Sequence, residues 1–205
     1  MKNNHKPSKN TLLSLYKEGK SMVDIAKLLK CSEHKIVYWM MKYHIARRSR
    51  SEASYVQQNP NGDPFNIQTS LSPEEQKIFW LALGIYWGEG NKVSPHVVKV
   101  TNTDPDLLRI FQSFLTKICH ISPEKISYSI VAFHDNNSTV VRSYWANQLQ
   151  ISPEKFGKIV QIPTQGRGTY KKKSMYGVCM ISVSNIKLKA WILKQLQNLK
   201  NAWVV

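Results

Sequence analysis

Residues 72–90, SPEEQKIFWLALGIYWGEG, constrain this chain more than any other stretch. Ser72 and Glu75 have the spacing of a capping box, in which a hydroxyl and a carboxylate satisfy each other's free backbone N–H groups at a helix start. Pro73 stands at the first-turn position where a missing N–H costs nothing. The spacing predicts a helix running to about Gly88. Residues 78–87 carry no charge and no strongly polar group, so no polar stripe is left to face water and the helix must be covered on two sides. It is far shorter than the ~20 apolar residues that cross a bilayer. One cover is the chain's own domain; the other is a second helix, brought close at Gly84 and Gly88, which lie four apart on one face. Glu89 then falls at the helix C-terminus, where free carbonyls already carry partial negative charge, so a cation is expected beside it. The simpler alternative is that Glu89 points into water or meets a nearby lysine.

Composition narrows the partners. The 205 residues, 42% of them hydrophobic, suffice for one ordinary domain and a small one, and the net charge of +16 favours a polyanion. Nucleic acid comes first and an anionic membrane surface second, but residues 1–9 are polar and basic with no apolar run behind them, so no signal peptide or spanning segment is read. Cys31, Cys119 and Cys179 are scattered and form no zinc spacing, which fits reduced thiols in the cytoplasm. Residues 1–50 hold nine lysines and three arginines against Glu18, Asp24 and Glu33, a net of +9. More than half the excess therefore sits in a quarter of the chain, which marks the N-terminus as a unit of its own.

After a basic arm, expected to be disordered over residues 1–10, Thr11 is read as capping a short helix that stops at Gly19. Ser21 caps a second, and Ser32 a third with Ile36, Trp39, Met40 and Tyr43 at core spacing. Residues 19–53, GKSMVDIAKLLKCSEHKIVYWMMKYHIARRSRSEA, are similar to the resolvase-type and homeodomain-like helix-turn-helix families. The resemblance implies that the third helix enters the major groove of double-stranded DNA. Its exposed face offers His34, Lys35, Val37, Tyr38 and Lys42, and Arg47, Arg48 and Arg50 follow as a basic extension for backbone or minor-groove contact. Residues 51–70 lose apolar periodicity and fill with Asn, Gln, Pro and Gly, and are read as a linker between a domain at 1–50 and one at 71–205.

Beyond the opening helix the pattern alternates. A β-branched strand is predicted at 96–103, a helix starting at Asp104-Pro105, a strand at 125–134, a helix at 139–149, a strand at 176–183 and a last amphipathic helix at 186–199. ISPEK occurs at Ile121 and again at Ile151, read as a repeated helix-ending turn. Within this order, ALGIYWGEG at 82–90 resembles the LAGLIDADG motif of homing endonucleases, with Gly84 and Gly88 at the close-packing small positions and Glu89 at the metal-binding acid. The motif departs from the family in having Trp87 where a polar residue is frequent and Glu in place of the commoner Asp.

The resemblance implies an α+β chain: a small three-helix helix-turn-helix domain followed by a LAGLIDADG-like αβ saddle of antiparallel strands. It also implies a homodimer through the 72–90 helix, and Glu89 as the catalytic residue and Mg²⁺ ligand from each of two protomers. On such a saddle Lys99, Thr101 and Thr103 alternate with Val98 and Val100 and are candidates to face DNA, while the loop TQGRGTYKKK adds Arg167, Lys171, Lys172 and Lys173 as a phosphate clamp or as a solvated hairpin tip. Lys99, His134 and Asp135 are all available as general base, and nothing selects among them. Gly84-Ile85-Tyr86 lacks a YIG partner and His134-Asp135-Asn136 lacks a second spaced histidine, which sets aside GIY-YIG and HNH nucleases. The chief alternative is a non-catalytic helix-turn-helix transcription regulator carrying a LAGLIDADG-like domain, since fold does not establish cleavage. An RNA-binding factor ranks below both, because A-form RNA closes its major groove to a helix.

Overall fold

The computed structural model describes residues 6–163 and 174–203, and the chain is a mixed α+β protein. It divides into two compact units at the junction of Pro64 and Phe65.

The first unit is all helical. Helix α1, Lys9–Lys17, starts earlier than the sequence suggests, because Ser8 rather than Thr11 accepts the first free N–H. Leu12 and Tyr16 are its buried residues. Helix α2, Met22–Leu28, is capped by Ser21 in a full capping box with Asp24, and α3, Glu33–Lys42, by Ser32, both as the serine spacing predicts. The turn between them is tight because Lys30 takes a left-handed conformation at φ 50°. Ile25, Ala26, Ile36, Met40 and Ile45 join Leu12 and Tyr16 in one small core.

The expected linker is not without structure. Ser49 and Glu52 form a capping box that starts a fourth helix, α4, Arg50–Gln58. It packs back on the first unit where Gly19, at φ +90°, approaches Val56 so closely that an added Cβ would stand 3.0 Å from its Cγ1. Further on, the backbone N–H groups of Asn66 and Gln68 donate to Cys119 and Ile118, and Phe65, Ile67 and Leu71 pack on the second unit's core.

That unit opens with α5, Pro73–Glu89, begun by the Ser72–Glu75 capping box and Pro73. It continues through β1 (Val97–Asn102) and α6 (Pro105–Ser113), which Asp104 caps. A π-helical turn at Phe114–Ile118 follows, then β2 (Ser127–Phe133), α7 (Ser138–Leu149), β3 (Val160–Ile162), β4 (Val178–Ser184) and α8 (Ile186–Trp203). The sheet order is β1-β4-β2-β3. Period-2 alternation puts Val98, Val100, Tyr128, Ile130, Ala132, Cys179, Ile181 and Val183 into a core shared with the helices. The alternate residues of β1, β2 and β4 are half-buried or exposed.

Two features depart from an antiparallel saddle. Strand β3 pairs parallel to β2, because the connection between them passes through α7. The two ISPEK segments form matching 3-10 turns, each following a left-handed residue, His120 and Gln150. Past them the chain runs alongside itself in parallel, with Tyr128 bridging Phe156.

Candidate functional site

At the C-terminal end of α5, Ala82, Leu83 and Tyr86 are buried while Trp80, Leu81, Gly84, Trp87, Gly88 and Glu89 are exposed. The two large indoles and Leu81 are about half exposed, at 53%, 47% and 54%. A Cβ added at Gly84 or Gly88 would meet nothing within 4 Å. The sequence's two-sided apolar character therefore resolves into one face packed on this unit and one face that no described residue covers. Leu107 and Ile85 flank the shallow groove along it, and Lys200 holds its ammonium 5.3 Å from the Trp87 ring.

Beyond Glu89 the chain passes directly into the sheet. Gly90 bridges Val100, and the N–H of Asn91 donates to the Lys99 carbonyl at 2.9 Å. Gly90 is required there, since a Cβ would lie 2.3 Å from the Tyr86 carbonyl oxygen. Glu89 thus stands two residues from a backbone pair with Lys99. No ion pair joins Glu89 to a described residue. The cation that the helix end calls for is supplied twice: Lys92 Nζ donates to the Gly88 carbonyl at 3.4 Å, and Lys189 lies beneath.

Lys189, from α8, was not a candidate on sequence. It is 1% exposed, and its ammonium donates to the Tyr86 hydroxyl and the Asn91 carbonyl, while Tyr86 donates to the same carbonyl at 2.7 Å. Burial lowers the Lys189 pKa from its ordinary value, with the charge of Lys92 adding to the effect. Burial also raises the Tyr86 phenol to about 12, partly offset by a hydrogen bond from the Lys99 backbone. The signal available in the sequence was spacing: Lys189 falls in step with the core positions Ile192 and Leu196.

On the sheet, Lys99 and Thr101 lie on the face away from the core, half-buried. Their cross-strand neighbours are Ser182 and then Ser127 for Lys99, and Met180 and then Ser129 for Thr101. The three serines extend the polar row to β4 and β2, where sequence reasoning placed strands but named no DNA-facing residue. Thr103 lies past the strand end and is exposed. Arg167, Lys171, Lys172 and Lys173 lie outside the described residues.

In the first unit, His34, Tyr38, Lys42, Arg47 and Arg50 are exposed, and Lys35 and Val37 are half-buried. Arg48 is engaged within the unit. Its guanidinium stacks 4.0 Å from the Tyr16 ring and donates to the carbonyls of Tyr16, in the last turn of α1, and of Gly19 and Lys20, in the turn that follows. These contacts give Arg48 a structural part within the unit, which Arg47 and Arg50, both exposed, do not share in the same way. Met41, 69% exposed, was overlooked on the outer face of α3.

Among the described residues no group of three or more His, Cys, Asp or Glu is placed to hold a metal ion, and no helix is long and apolar enough to cross a membrane. Glu89 is the carboxylate at the α5 terminus. One such group suits Mg²⁺ only where waters, phosphate oxygens or a second carboxylate complete the shell. No family model, curated protein or solved structure matches this chain.

Proposed function

We propose that this chain is a two-module protein of double-stranded DNA, with a helix-turn-helix unit and a LAGLIDADG-like unit that pairs as a homodimer and cleaves DNA with Mg²⁺. The observation that carries the reading is the far face of α5: two exposed indoles, Leu81 and two open glycines, ending in a carboxylate that no described residue meets in an ion pair. Exposed apolar surface of this kind marks an interaction site. The occupant that answers both the glycines and the acid is a second α5, which would bring two Glu89 carboxylates together. In that arrangement Glu89 of each protomer would hold Mg²⁺, and the metal supplies water activation and stabilisation of the leaving oxygen. Lys99, Thr101 and the serine row give a polar face to lie along a duplex, and the first unit, with a net +9 over residues 1–50, supplies non-specific phosphate attraction. Three free cysteines, with Cys119 and Cys179 buried, fit a reducing cytoplasm.

The competing reading keeps the binding and drops the chemistry, and the lack of any three-ligand cluster among the described residues favours it over a metal centre complete in one chain. Incubating the purified chain with a plasmid library, with Mg²⁺ and with chelator, separates the two. Mg²⁺-dependent double-strand cuts that vanish in Glu89→Gln support the nuclease. Tight sequence-specific binding without cuts in either protein leaves the regulator.

A further inference from the structure

Helix α3 is apolar on both faces. Its inner face buries Ile36 and Met40, and its outer face carries His34, Val37, Tyr38 and Met41 at the i, i+3, i+4, i+7 spacing of one stripe. Met41 is 69% exposed and Tyr38 47%. The Tyr38 ring is held edge-on to Trp39, with the Lys42 ammonium 5.8 Å from it. Lys42 is exposed beside this stripe, Lys30 and Arg47 are exposed before and after the helix in the chain, and Glu33 is the single acid of α3. A strip of methyl, thioether and ring surface inside a basic border matches the major groove of B-DNA, where phosphates form the rims and thymine C5-methyl groups project from the floor.

We propose that α3 reads thymine methyl groups through Val37, Tyr38 and Met41, so that the preferred duplex is A·T-rich where this helix lies; the inference rests on the reading of the first unit as DNA-binding. Charge complementarity selects a duplex over a protein partner, because an apolar protein groove would not ask for a basic border. Lys35 and Lys42, seven apart and so on one side of the stripe, serve phosphates, which carry no sequence information. Specificity then falls to the apolar side chains, each burying a methyl that water would otherwise surround.

The test selects duplexes from a randomised library with the full chain, then resynthesises the winner with deoxyuridine at each thymine in turn, which deletes one methyl and leaves pairing intact. Affinity should fall roughly fourfold at each methyl that α3 covers, the loss expected for one buried methyl-sized group. In Met41→Ser the thymine-to-uracil ratio at one or more of those positions should fall to about one, while melting of the exposed-site variant stays that of the parent. Equal affinity for thymine and uracil duplexes at every position overturns methyl readout, assigns the stripe to another partner and leaves DNA binding standing. Failure to enrich any duplex overturns both this inference and the reading of the first unit.

Discussion

Replacing Gly84 and Gly88 together by glutamine separates the two places where these glycines could matter. Inside the chain they touch nothing: a Cβ at either position finds open space to 4 Å, and both are exposed. Glycine in a helix is about 1 kcal/mol worse than alanine, and glutamine recovers much of that difference. Gly84 lies in the helix interior and recovers most, while Gly88, next to the last helical residue, recovers less. Together the substitutions should stabilise the isolated second unit by about 1 kcal/mol, roughly 3 °C in Tm for a unit of this size. Between chains the sign reverses. Close approach of two α5 helices depends on having no side chain at these positions, and each added glutamine enters a two-fold seam twice. The double variant should therefore melt higher than the parent in dilute solution, yet remain monomeric at concentrations where the parent sediments as a dimer. Analytical ultracentrifugation over a concentration series, paired with thermal melts, reads both effects. A lower melting temperature in dilute solution would show that the glycines pack within the chain. A parent that stays monomeric with and without duplex DNA, or a double variant that dimerises as well as the parent, would refute α5 as the seam.

Arg48→Ala should destabilise the first unit by about 2 kcal/mol, through loss of charge-assisted bonds to the α1 terminus and the stack on Tyr16. Arg47→Ala should leave stability within about 0.5 kcal/mol and lower the salt dependence of DNA binding by about one unit of slope; urea titration and binding isotherms at several salt concentrations distinguish the two arginines. Because burial lowers the Lys189 pKa below 10.5, the unfolded chain holds that proton to higher pH than the folded one. Folding stability thus carries a penalty at neutral pH that is relieved as pH rises towards 10.5. Lys189→Met should flatten that rise on the alkaline side below pH 10.5 in urea unfolding. Tyr86, raised to about 12, acts in the opposite direction only above pH 10, at the top of that range.

The elements most legible in the sequence were those whose ends carry their own chemistry. Ser21, Ser32, Ser72 and Asp104 each cap the helix expected of them, because a side-chain oxygen three residues from a free N–H is a local fact that tertiary context seldom overrides. Strands β1, β2 and β4 were legible through alternation, since each buries one face. Strand β3 gave no such signal: Val160, Gln161 and Ile162 are all exposed, and the strand exists only as an edge paired to β2. Helix α4 was hidden for a related reason. It has no buried residue, so periodicity is silent, although its Ser49–Glu52 box was present to be read.

At the site, charge alone misled in both directions. Arg48 and Arg47 are adjacent and identical in kind, yet one is folded onto Tyr16 and the other faces water. Lys187 and Lys189 differ only in phase along α8, and phase decides that Lys189 is buried under Tyr86 and Asn91 while Lys187 is exposed. A buried ammonium held by one hydroxyl and one carbonyl, with no carboxylate beside it among the described residues, is costly to retain in a core that could hold methionine at that place. Its position beneath the α5 terminus, where Glu89 leaves the helix and Asn91 pairs with Lys99, ties that cost to the one carboxylate on which the proposed chemistry depends. Lys189→Met is therefore expected to divide the two properties: folding preserved or improved, and Mg²⁺-dependent cutting lost. A variant that folds and still cuts at the parental rate would reduce Lys189 to a core residue and leave Glu89 to act without it.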